Sequence, residues 1–141
     1  MMFANAERDE LRRRYVNAWQ RRRDGLPLGP LDAQIADVIE LHPEYHALLE
    51  APDATAAAFT VEQGRSNPFL HMGLHLAIRE QVSTRRPAGI EAVHLRLSRQ
   101  LGDVHTAEHR MIEVLAQTLW EAQRAGAAPA EDVYLERLRR L

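Results

Sequence analysis

Residues 104–124 read VHTAEHRMIEVLAQTLWEAQR, a stretch long enough for about six turns of α-helix, and they decide the fold class. A row of side chains three or four residues apart runs along it: His105, His109, Ile112, Ala116 and Leu119. This spacing predicts an amphipathic helix that turns the row toward an apolar core, and Gly126 is typical of its end. The two histidines share the row, so we expect them to face the interior or its mouth.

A second helix combines histidines and apolar residues in the same way. Asn67 and Pro68 predict its start, because asparagine caps helix N-termini and proline suits the first helical position. The row that follows contains His71, His75, Ile78 and Val82. We expect this helix to pack beside the helix over 104–124, at the centre of the fold.

Proline and glycine residues separate the remaining helices. Apolar rows of helical period predict further helices over about 5–23, 31–39, 43–49 and 90–101, and from about 131 onward. Residues 51–66 have no clear period and are predicted to form a long loop. No segment alternates as a strand would. The sequence therefore predicts an all-α fold, a single-domain helical bundle of five to seven helices over residues 1–141.

The composition is that of a folded cytoplasmic protein. Hydrophobic residues make up 45% and charged residues 27%, which is sufficient for a packed core. The net charge of -2 gives no general attraction to nucleic acid or to an anionic membrane. There is no apolar run long enough for a membrane span, and the charged N-terminus does not resemble a secretory signal. We expect neither membrane nor nucleic acid as a partner, and the sequence leaves a homo-oligomer and a small-molecule substrate open.

Two residue types are missing, and each absence excludes a class of chemistry. The chain has no cysteine, which excludes disulfides, thiolate metal ligands and a cysteine nucleophile. It has no lysine either, because all 18 basic residues are arginine. Schiff-base chemistry and a lysine general base are therefore excluded.

Six of the seven histidines form three pairs with a spacing of four residues. Two imidazoles so spaced lie on the same face of a helix and can bind one metal ion. The sequence predicts a divalent-metal site for zinc, iron or nickel, which imidazole ligates readily. The predicted ligands, in order of preference, are His71, His75, His105, His109, His42 and His46. A shared site requires a nitrogen of His71 or His75 within about 5 Å of one from His105 or His109.

A metal-free arrangement explains the same pattern. Core histidines can bond to one another, to carboxylates and to backbone carbonyls, and no cofactor is then expected. In that case the chain is a helical protein-interaction or structural module.

An enzymatic role is left open by the sequence. Residues 105–109, HTAEH, match the pattern H-x-x-E-H, in which two histidines bind zinc and the glutamate activates water. Glu108 is therefore the candidate catalytic residue, as general base in metal-assisted hydrolysis or related water-activating chemistry.

Four segments carry a resemblance: HPEYH at 42–46, NPFLHMGLHLAI at 67–78, HTAEH at 105–109 and WEAQR at 120–124. Through them the chain resembles a bacterial family of short helical proteins known only as a domain of unknown function. The resemblance covers nearly the whole chain. It implies a small, mainly helical, intracellular bacterial protein that carries the three histidine pairs, and it implies no activity.

Overall fold

All regular structure in the described part of the chain is helical. The structure is a computed structural model that describes residues 2–56 and 67–141, with side chains at 7–55 and 67–141. Within these ranges there are seven α-helices and no strand. The prediction of an all-α fold with five to seven helices is confirmed. By its contacts the chain divides into two compact units, Met1–Met72 and Gly73–Leu141, and the single domain over 1–141 stays a prediction.

The N-terminal unit is built on its first helix. It contains α1 (Met2–Arg23), α2 (Pro30–Glu40) and α3 (His46–Glu50), with 3-10 turns at Pro43–Tyr45 and Ala54–Ala56. Helix α1 packs against α2 and α3. The buried residues between them include Tyr15, Ala18, Trp19, Ile35, Val38, Ile39 and Leu49. Residues 57–66 of the predicted loop lie outside the described residues.

Helix α4 (Pro68–Thr84) begins where the sequence predicts. The side-chain Oδ1 of Asn67 accepts hydrogen bonds from the backbone N–H groups of Phe69 and Leu70, at 3.0 and 3.3 Å. These bonds satisfy donors that have no partner inside the first helical turn. The cap and Pro68 together set the start of the helix that carries His71 and His75.

The C-terminal unit holds the larger apolar core. It contains α5 (Ile90–Leu101), α6 (Val104–Ala125) and α7 (Glu131–Arg139). Helix α5 packs against α6, and α7 packs against both. The core they share with the second half of α4 consists of Ile78, Ile90, Val93, Leu97, Ala107, Met111, Ile112, Leu115, Tyr134 and Leu138. No helix in the described ranges has the length and apolar character needed to cross a membrane.

The inward face of α6 differs from the predicted row. Ala116 is exposed and Leu119 is 42% exposed, so the prediction that the row faces the core along its whole length is wrong. The buried residues of α6 are Ala107, Glu108, Met111, Ile112, Leu115 and Thr118, so Ile112 is the one residue of the predicted row that is buried. The helix is therefore rotated so that Glu108 points inward, with His105 and His109 next to each other on one side of it.

Candidate metal centre

Three imidazoles from two helices converge in the C-terminal unit. Helix α4 supplies His75, which is fully buried, and α6 supplies His105 and His109, which are partly exposed. One ring nitrogen from each of the three lies within 4.8 Å of those from the other two. The approach that a shared site requires is confirmed for His75. The contact lies where the middle of α4 meets α6, through the side chains of His75 and Ile78.

The spacing of the rings is close to that of imidazoles that share a ligand sphere. The ring centroids of His75 lie 5.0 Å from His105 and 4.9 Å from His109. His105 and His109 are 4.2 Å apart. Two imidazoles bound to one ion through bonds of about 2.0–2.1 Å have centroids about 4.5–5.2 Å apart at octahedral to tetrahedral angles. The two distances from His75 lie within this range and the distance between His105 and His109 is shorter, so the rings would have to rotate to bind one ion.

The cluster combines a buried ligand with two partly exposed ones. Three histidine ligands with a fourth position left for water or substrate are typical of catalytic zinc sites. Because His105 and His109 reach solvent, an ion held here would keep access to water. The arrangement can thus support metal binding, and water activation if the fourth position stays open.

Glu108 lies directly behind His75 and is buried, with 1% of its surface exposed. Its Oε1 lies 3.0 Å from Nδ1 of His75 and accepts from Nε of Arg79 at 3.2 Å. Its Oε2 lies 3.3 Å from Nε2 of His94. Three side chains from α4 and α5 therefore hold one carboxylate of α6.

The charge of Glu108 follows from these contacts. Burial raises its pKa, but the hydrogen bonds from His75 and His94 and the positive charge of Arg79 outweigh burial and bring the pKa to about 2. Glu108 is therefore a carboxylate at neutral pH and a weak base. General-base catalysis works best with a pKa near the working pH, so the arrangement favours an orienting role for Glu108. Its role as a general base stays a prediction.

The three other predicted ligands belong to the N-terminal unit. Nδ1 of His42 lies 2.8 Å from the carbonyl oxygen of Val38, and the ring stacks on Tyr45 with centroids 5.2 Å apart. The ring of His71 stands edge-on to that of His42, at 5.0 Å between centroids. His46 bonds to the carbonyl oxygen of Ile39 and packs on the ring of Trp19. Metal ligation by these three histidines stays a prediction.

Two residues of the site were missed by sequence reasoning. Arg79 follows His75 by one helical turn, which is the signal that could have placed it on the same face of α4. His94 is absent from the predicted ligands, although it lies within the helix predicted over 90–101. Residues 91–94 (EAVH) match the E-x-x-H spacing of di-iron ligands, but such a site needs a second copy that the sequence lacks. In the described structure His94 bonds to the carboxylate of Glu108 instead.

A family model matches residues 7–140 of the chain. The chain belongs to this family, described as a domain of unknown function (DUF1841). The match covers nearly the whole sequence, which agrees with the resemblance to a domain of unknown function seen in the motifs. Comparisons with curated proteins and with solved structures give no match. For this DUF1841 chain, function is therefore inferred from the residues and geometry of the site.

Proposed function

We propose that this chain binds one divalent metal ion through His75, His105 and His109. The observation that carries the proposal is the convergence of three imidazole nitrogens, one from each residue, within 4.8 Å of one another. Two of them come from one helix and the third from another, so the helix packing itself assembles the ligand set. Imidazole is a ligand for zinc, iron and nickel, and these three ions are the candidates.

Water activation is the chemistry that such an ion would supply. Three protein nitrogens leave room for a water ligand, whose pKa a bound zinc ion lowers to about 7. Solvent access at His105 and His109 supports this role. A hydrolase or a related water-activating enzyme is thus the enzymatic form of the proposal, in the cytoplasm, as the sequence predicts, of a bacterium, as the family resemblance implies.

Metal binding is tested with protein purified without an affinity tag and freed of metal by a chelator. Titration with cobalt(II), zinc(II) and nickel(II), followed by calorimetry and by visible absorbance for cobalt, should give one ion per chain. His105→Ala and His109→Ala should each abolish tight binding. His46→Gln is the matched control, because His46 lies in the N-terminal unit and glutamine keeps a donor toward the Ile39 carbonyl.

Two results would overturn the proposal. One is that neither cobalt(II), zinc(II) nor nickel(II) binds stoichiometrically, which would make the histidines a structural network. The other is that tight binding survives in both His105→Ala and His109→Ala, which would move the site elsewhere in the chain.

A further inference from the structure

We propose that Glu108 orients the metal ligand His75, and that Arg79 and His94 are positioning residues that hold Glu108 in place. The inference rests on the proposed metal site. It assigns to Glu108 a different role from the general base that the HTAEH motif predicts, and it adds two residues to the site.

The contact with Glu108 decides which ring nitrogen of His75 carries the proton. A carboxylate only accepts hydrogen bonds, so Nδ1 of His75, 3.0 Å from Oε1 of Glu108, carries the proton and donates it. The lone pair of the neutral ring is then on Nε2. Glu108 thereby leaves Nε2 as the only ring nitrogen of His75 that can bind a metal, and metal-bound histidines commonly donate a hydrogen bond from the N–H of their second nitrogen to a carboxylate in this way.

Two further side chains restrain the carboxylate of Glu108. The last torsion of a glutamate side chain is broad and does not fix the carboxylate plane. Here Arg79 bonds to Oε1 and His94 to Oε2, so both oxygens are restrained. The side chains of Arg79 and His94 are only 22% and 18% exposed, which limits their own movement. The ring of His75 is therefore oriented before any ion arrives.

The Glu108 side chain is buried, and a buried carboxylate needs a compensating partner. Arg79 supplies a full positive charge at 3.2 Å, so the carboxylate is balanced without a metal. An anion behind His75 makes the ring a more basic ligand. The contacts thus keep the carboxylate bonded to His75 whether or not a cation is bound.

The test compares cobalt(II) and zinc(II) affinity in the full chain and in matched variants. Glu108→Gln should weaken binding about 10- to 100-fold, as is usual for the loss of an orienting carboxylate. His94→Leu removes the donor to Oε2 and should weaken binding, whereas His94→Gln, which can keep an N–H donor, should restore it. Arg79→Met and Arg79→Lys form the second pair of variants. Methionine removes the positive charge beside Oε1 of Glu108, and lysine keeps it.

A second measurement determines the tautomer of His75 in the absence of metal. Nitrogen-15 NMR of the metal-free protein, at a pH where imidazoles are neutral, should show His75 as the Nδ1–H tautomer. His94→Leu, at a partly exposed position, tests the same point if Glu108 variants fail to fold, and should give a mixture of tautomers.

The outcomes separate the two proposals. Absence of metal binding in the wild type overturns the proposed function and the orienting role together. Tight wild-type binding that Glu108→Gln and His94→Leu leave unchanged, or an Nε2–H tautomer of His75, overturns the orienting role and leaves the metal site standing.

Discussion

Nδ1 of His75 lies 3.0 Å from Oε1 of Glu108, and both side chains are buried inside the C-terminal unit. This bond joins α4 to α6 at the point where the three imidazoles meet. Because the same residue takes part in helix packing and in the candidate metal site, ligand binding and stability should be coupled.

Metal should stabilise the folded chain. A ligand that binds only the native state adds about 2.7 kcal/mol at a concentration 100 times its dissociation constant. We expect zinc(II) to raise the melting temperature of the wild type and to leave that of His109→Ala unchanged. Calorimetric melting with zinc and with chelator checks this, and an equal rise in both proteins would contradict it.

Loss of the Glu108 charge should destabilise the protein even without metal. Glu108→Gln weakens three hydrogen bonds at a buried position, and we expect a loss of about 1–3 kcal/mol in the free energy of unfolding. Glu113→Gln is the control, because Glu113 lies on the exposed side of the same helix and should change stability by less than about 0.5 kcal/mol. Urea unfolding of the metal-free proteins measures both, and equal stabilities would refute the role of the buried carboxylate.

Alkaline pH should destabilise the fold through Tyr134. Burial raises the pKa of Tyr134, although its hydrogen bond to Gln81 acts in the opposite direction. The pKa of tyrosine in the unfolded chain is about 10. Above that pH Tyr134 loses its phenolic proton in the unfolded chain before it does so in the fold, so stability falls as pH rises. Below about pH 10 the stability that Tyr134 contributes through its raised pKa is fully present.

Tyr134→Phe should therefore show a shallower fall in stability above about pH 10 than the wild type. Denaturant unfolding at several alkaline pH values measures the slope, and tyrosinate absorbance follows the ionisation. Tyr45→Phe is the control with a smaller expected change, since Tyr45 is only partly buried. Parallel profiles for the wild type and Tyr134→Phe would rule out this contribution.

The Asn67 cap of α4 should contribute measurably to the stability of the fold. Asn67→Ala removes the acceptor for two backbone N–H groups and should lower stability by about 0.5–2 kcal/mol. Asn67→Asp keeps an acceptor at the same position and should retain most of that stability. Thermal unfolding of the pair checks this, and an alanine variant as stable as the aspartate variant would show that the cap is dispensable.

The stability of the C-terminal core should depend on Ile78. This residue is fully buried in the C-terminal unit, and its replacement by alanine should cost about 2–5 kcal/mol through lost contacts and a cavity. Leu95→Ala is the control in the same unit, because Leu95 is 51% exposed. Chemical unfolding that gave similar losses for both variants would contradict the assignment of the core.

Helix positions follow from local features of the sequence. The cap at Asn67, the proline after it and the apolar spacing fix α4 through contacts within a few residues, and α5 over 90–101 is confirmed for the same reason. Spacing of four residues likewise put His105 and His109 on one face of α6. These features act through neighbours along the chain and can be recognised without knowledge of the packing.

The inward face of α6 depends on packing between helices. Adjacent residues differ by about 100° around a helix, and apolar residues occur both on the predicted row and on the buried one. Contacts with α4 and α5 select the face that contains Glu108, since Arg79 and His94 are there to neutralise and bond its carboxylate. Glu108, Arg79 and His94 are separated by 14 and 29 positions, and only folding brings their charges close enough to interact.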